Sequence, residues 1–293
     1  MDQINIQFTL FSAFYSPLIS AMTGGFLKDE GLEYNWSIAK AGVSALGQLE
    51  NGSAHVVQSA LSQGFKTLEE GKEPFCVHFA QVNEMDGFFL TGREPCSDFN
   101  WDNLKGADVL VHHGEQPMAM FKYACHKENI DISAINIINA GNASEMDIAF
   151  RNGQGMYIHQ QGPAPQQLQF EGVGYIVAQL GGIIGPCGFS SLAATSDWLE
   201  TDMATAFLRA YKKTRLYLIE TPASEIAAAE AELFPSVDLE VLSNCIETYQ
   251  KLGCWTPHIN ITHSAFESTL DIFEYNNLIK TRHSYDSVCR SIL

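Results

Sequence analysis

Residues 4–31, INIQFTLFSAFYSPLISAMTGGFLKDEG, decide how the rest of the chain is read. INIQFTLF (4–11) is rich in β-formers and ends in aromatics, a strand pattern. PLISAMTGGFLKDE (17–30) then reads as one helix, with Ser16 as N-cap, Pro17 at the first helical position and Gly31 as the stop. The alternation continues outward. LEYNWSIA (32–39), AHVVQSA (54–60) and FCVHFAQV (75–82) are strand patterns, separated by the short helical stretches 43–52 and 62–71. A β-α-β-α order predicts a parallel sheet with right-handed crossovers.

A second cycle opens at DGFFLTG (86–92) and runs through GYIVAQL (174–180), with further strands in 100–114, 134–139 and 155–160 and helices at 117–130, 143–154 and 163–173. From Ser196 the apolar spacing is helical, over 196–220, 223–234, 238–253 and 264–279. Phe207, Tyr211 and Leu218 form an aromatic-aliphatic stripe that reads as core. The fold class is therefore α/β, two lobes followed by a helical C-terminal segment. Lobe one is expected at 1–84 plus 188–293 and lobe two at 85–187. Two crossings, near 83–86 and 181–190, would form the hinge of a closing cleft.

Composition narrows the partners. The 293 residues carry a formal charge of −17, with 17 Lys and Arg against 34 Asp and Glu. No Lys/Arg cluster occurs, which argues against nucleic acid or anionic lipid as partner. No apolar run reaches the ~18 residues of a membrane span. The seven cysteines are odd in number and contain no CxxC, as expected of free thiols in a reducing compartment. Asp2 stands where a leader would carry basic residues, so the chain reads as cytoplasmic as written, and as periplasmic if a leader has been removed.

YSPLISAMTGGFLKDEGLEY (15–34) followed by LGQLENGSAHVVQSA (46–60) resembles the opening of periplasmic-binding-protein-like chains. The branch is the one that groups thiamine-pyrimidine-precursor synthases with nitrate, sulfonate and taurine binding proteins. WDNLKGADVLVHHG (101–114) and AFRNGQGMYIHQ (149–160) resemble later elements of that family, the second without its usual acid. The step before the third strand reads Gly52-Ser53-Ala54-His55, with His in place of an acid. The resemblance covers most of 4–200. It implies a two-lobed type II fold with a ligand between the lobes, at the carboxyl ends of parallel strands, which agrees with the general rule for open α/β sheets.

The implied function is solute binding of the ABC-transporter type, closing on a small planar or weakly anionic ligand, with a transporter permease as partner. The alternative is a cytoplasmic enzyme on the same scaffold, acting on a pyrimidine precursor or a small aromatic or carboxylated substrate. The synthases of the branch hold pyridoxal phosphate through a Lys, with a His four residues on and a cysteine-rich stretch. Here Ser59 and Gln63 fall near the first two places, and GGIIGPCGFSS (181–191) keeps only Cys187. No cofactor and no catalytic residue are therefore expected.

Four loops should face the cleft. Phe11 and Tyr15 offer flat walls, although Phe11 reads first as core. Gly42 and Val43 lie in a small loop whose backbone N–H groups suit an anion or simply make a turn. Gln58 and Ser59 end a strand with neutral hydrogen-bonding groups. His113, Gly114 and Gln116 precede or open a helix near Pro117. His112 and His113 are adjacent on a strand end, so at most one enters the cleft. His159 ends another strand in the same lobe. No spacing marks a metal site among them.

Overall fold

The computed structural model describes residues 1–40 and 43–292. Strand β1 (Asp2–Phe8) buries Ile4, Ile6 and Phe8 on one face. A 3-10 turn, Ala13–Tyr15, follows, capped by Ser12 Oγ, which accepts from Phe14 N. The helix then begins at Ser16, inside the first turn rather than before it, and ends at Thr23. The predicted single helix is broken. Gly25 takes φ +81°, and a Cβ on Gly24 would lie 2.7 Å from the Phe26 ring. The chain restarts as one turn, Phe26–Asp29, before strand β2 (Leu32–Ile38). Two adjacent glycines thus turn a helix into a corner.

Two five-stranded sheets result. The first has the order β2-β1-β3-β10-β4, with β3 (Val56–Ser59), β4 (Val77–Asn83) and β10 (Ser190–Ala194). The second has the order β7-β6-β8-β5-β9, with β5 (Phe88–Gly92), β6 (Asp108–Leu110), β7 (Asn136–Ile138), β8 (Tyr157–Gln161) and β9 (Tyr175–Gln179). The sheets are not purely parallel. β10 runs antiparallel between β3 and β4, and β5 antiparallel between β8 and β9. Each antiparallel strand follows a crossing from the other sheet. β10 has the sequence Ser-Ser-Leu-Ala-Ala, fully buried and without a β-branched residue, so its composition hides it.

The crossings run from Asn83 to Phe88 and from Gln179 to Ser190, and they touch. A Cβ on Gly181 would lie 2.4 Å from Asp86 O. Four long helices complete the chain: Asp202–Glu220, Ala223–Glu230, Leu239–Leu252 and His263–Tyr275. Phe207, Tyr211 and Leu218 are core residues, as their spacing predicts. Tyr211 Oη donates to Gln81 O, and the fully buried Arg215 donates to Val82 O at 2.6 Å and Thr256 O at 2.7 Å. Carbonyl oxygens at the end of β4 thereby satisfy a charge that burial would otherwise make costly. Tyr249 bridges to the second sheet: its Oη donates to Gly87 O and accepts from Gly162 N. Among the described residues, no helix is long and apolar enough to cross a membrane.

Candidate ligand-binding cleft

The carboxyl ends of β1, β3, β6 and β8 converge on the gap between the sheets. Two connected chambers occupy it. The larger, about 390 Å3, is lined by Tyr15, Gln58, Ser59, Phe88, Gln116 and Phe189, among others. The smaller, about 280 Å3, extends past Phe11 toward Asp147, Arg151 and His159. Leu10, Phe88, His112 and Gln161 line both.

Tyr15 is 4% exposed, and its Oη lies 3.4 Å from Gln161 Nε2. Burial pushes its phenol up to about 12, so it stays a neutral hydroxyl. Gln58 is fixed from both sides: Oε1 accepts from Thr9 N at 3.1 Å, and Nε2 donates to Ser190 Oγ at 2.8 Å. Ser190 Oγ in turn donates to Ser59 O. Gln116 ties the lobes together. It sits on the helix Glu115–Lys127 after β6, accepts from Ser62 Oγ at 2.9 Å and donates to Phe189 O at 2.6 Å.

The histidine expected in the cleft is replaced by its neighbour. His113 is exposed and folds back to Val111 O at 2.7 Å, while His112 lines both chambers. Gly114 N donates to His112 Nδ1 at 3.1 Å, which leaves the imidazole proton on Nε2. Gly114 lines the larger chamber, and a Cβ there would sit 3.0 Å from the His112 ring. His159 is fully buried, stacked on Phe88 at 4.5 Å, and borders the smaller chamber. Burial holds its pKa well below the ordinary value, so it is neutral. Phe11 is half-buried, stacks on Trp36 and Phe234, and lines the smaller chamber. Val43 is exposed and lines neither chamber, and Gly42 lies outside the described residues.

Phe88, Phe189, Ser62, Gln160 and Gln161 were not singled out from the sequence. The strand-end rule that found His159 also reaches Gln160 and Gln161, the next two residues of β8. Phe88 and Phe189 sit at the ends of the crossings, where no periodic pattern marks them.

Charge is scarce. Glu115 is the sole charged residue among the described lining of the larger chamber. Arg151 borders the smaller one but is paired with Asp147 at 2.5 Å and with Glu171. Arg93 serves the second lobe instead. Its guanidinium donates to Gly155 O, Phe150 O and Gln154 O and lies 4.2 Å over the Phe150 ring. Cys187 is fully buried, and burial pushes its thiol up, away from the thiolate a nucleophile requires. Ser62 and Ser190 donate to an amide and a carbonyl, not to an imidazole. Among the described residues, no group of three or more His, Cys, Asp or Glu is gathered to hold a metal ion. The lining can stack on a flat surface and exchange neutral hydrogen bonds with it.

Residues 13–225 match the family model described as NMT1/THI5 like. The chain is 27% identical over 296 residues to YtlA of Bacillus subtilis (strain 168), a protein described provisionally as a binding protein; the match covers 98% of this chain and 87% of YtlA. A solved chain from Bordetella bronchiseptica RB50 superposes with a TM-score of 0.72 at 20% identity, covering 99% of this chain and 95% of that one. The alkanesulfonate-binding protein SsuA from Xanthomonas axonopodis pv. citri, solved with MOPS bound, superposes with a TM-score of 0.76 at 14% identity, covering 100% and 99%. These two structures establish the likeness of fold.

Proposed function

Because the chain belongs to the NMT1/THI5 like family, we propose that it is a solute-binding protein that closes its two lobes on a small ligand with a flat, uncharged body and presents it to an ABC-importer permease. The observation that carries this reading is the larger chamber. Its walls are aromatic faces and neutral amides, and no Lys or Arg stands among its described lining residues. A volume of about 390 Å3 falls in the range of small-molecule sites. Aromatic rings favour a planar guest. An anion entering here would lose its hydration without gaining a cation in return. That removes the weakly anionic option of the sequence reading and keeps the planar one. It also sets this chamber apart from what the name of the Xanthomonas protein describes. A protein that feeds an importer works outside the membrane, so this reading requires export.

The test is a thermal-shift screen followed by calorimetry. Neutral pyrimidines and nicotinamide are run against taurine, MOPS and benzoate. A ligand at a hundred times its dissociation constant should stabilise by about 2.7 kcal/mol. The bound form should be more compact by small-angle X-ray scattering, and the ligand should be recovered unchanged. Stabilisation by the sulfonates alone, or conversion of the hit into product, would overturn the reading.

A further inference from the structure

The smaller chamber has a chemistry of its own, set by how its glutamines are held. Gln160 Nε2 donates to Asp147 Oδ1 at 3.3 Å, and Gln167 Nε2 donates to Glu171 Oε1 at 2.6 Å. A carboxylate only accepts, so each amide must turn its NH2 group toward its acid and its oxygen away. Both Oε1 atoms are then left without a hydrogen-bond partner among the described residues, and so is Gln161 Oε1. Gln160 is 4% exposed, so water does not freely serve its oxygen. The neutral, fully buried His159 has no partner at either ring nitrogen and adds one acceptor and one N–H donor.

The same two acids clamp Arg151. Its charge is thus spent, and the trio Asp147–Arg151–Glu171 is left with a surplus negative charge. Buried acceptors without donors are costly to leave unmet. Free acceptors in the chamber thus outnumber its free N–H groups, one on His112 and one on His159.

We propose that the smaller chamber is a subsite for a nitrogen-bearing substituent with several N–H donors, such as an amidine, a guanidine or a ring amine, and that it excludes carboxylates and sulfonates. This rests on the solute-binding reading: the flat part of the ligand occupies the larger chamber, and the substituent passes Phe88 and His112, which line both.

Benzamidine, benzamide and benzoate share one ring and differ in the end group, so they serve as probes. Their affinities for the full chain are measured by protein-observed NMR titration. Benzamidine should bind at least tenfold tighter than benzoate, with benzamide between them. Gln160→Leu should cut the benzamidine affinity severalfold. Asp147→Asn, which leaves Arg151 with one carboxylate, should weaken benzamidine and strengthen benzoate. Circular dichroism checks that the variants fold, and Gln167→Leu, at a less buried position, replaces Gln160→Leu should that variant fail to fold. Equal binding of the three probes overturns this subsite and leaves the flat-ligand reading standing. Benzoate binding tightest, or a benzamidine preference unchanged in every variant, also overturns it. No binding by any probe overturns both readings.

Discussion

Glu230→Gln tests the packing that holds the opening helix. The Glu230 carboxyl group is fully buried, with Oε1 2.6 Å from Ser20 Oγ and Oε2 2.8 Å from Ser16 Oγ. The Ser16 hydroxyl has one proton and also lies 2.8 Å from Ala13 O. If it donates to that carbonyl, the Oε2 contact needs a proton on Glu230. Burial agrees, raising this carboxyl from 4.5 to about 8 against the serine hydrogen bonds that lower it. The folded protein therefore keeps a proton that the unfolded chain releases. The Glu230 contribution to stability is whole below the unfolded value and falls as pH rises toward the folded one, by about 1.4 kcal/mol per pH unit. Asp86, raised by burial to about 7, acts with the same sign. His78, lowered to about 4, and His159, lowered well below 6.5, act oppositely, because below about pH 6.5 the unfolded chain binds their protons and the folded one does not. Between about pH 5 and 6.5 these acids and imidazoles largely offset one another. Above that, only the acids remain, and Glu230 alone should remove about 2 kcal/mol by about pH 8.5. Gln keeps the shape, donates to Ser16 and cannot ionise. In urea unfolding followed by tryptophan fluorescence, the stability of the variant relative to wild type should rise by that amount over this interval, with the m-value unchanged. A relative stability that stays constant with pH would refute the buried, protonated carboxyl.

Four other outcomes follow from the geometry. Ellman's reagent should titrate one thiol in the native protein, the exposed Cys96, and seven in denaturant; rapid native labelling of a second thiol would contradict the burial of the other six. Arg93→Lys should cost about 2–3 kcal/mol, since an ammonium cannot reproduce three carbonyl contacts and the stacking on Phe150; the affinity for a cleft ligand should not change. Gln116→Ala removes the tie from Ser62 to Phe189 and should weaken the closed form by about 1–3 kcal/mol; an unchanged scattering radius together with unchanged ligand affinity would deny that role. Gly181→Ala should destabilise by about 1–3 kcal/mol by forcing a methyl against Asp86 O, whereas Gly182→Ala, with nothing within 4 Å, should be mild; equal melting temperatures would show that the crossings do not pack there.

Much of the architecture was legible because most strands and helices carry their own periodicity. The alternation from β1 to β4 and the apolar spacing of the four long helices needed no tertiary information. β10 was hidden for a physical reason. It is a central strand, buried on both faces, and so has no alternation to show. Its Ser and Ala side chains suit close packing between β3 and β4 rather than local strand preference. The break at Gly24-Gly25 was visible as two glycines, but its consequence depends on where the Phe26 ring packs.

The site was legible only where one strand end determines one side chain. Strand geometry allows one of His112 and His113 into the cleft, but the choice depends on the register of β6, and Gly114 N then fixes the ring through His112 Nδ1. Gln58 and Gln116 could be read as polar groups near strand ends. That their amides are committed to Ser190 and Phe189 depends on the second crossing, more than 70 residues away in the chain in each case. The selective atoms lie deeper still. Gln160 Oε1 matters because Asp147 occupies the other half of the same amide, and Asp147 is held by Arg151 one helical turn on. A chain of this kind assigns donor and acceptor by elimination. Sequence shows which residues carry amides, but only the folded neighbourhood decides which end of each amide is left to meet a ligand.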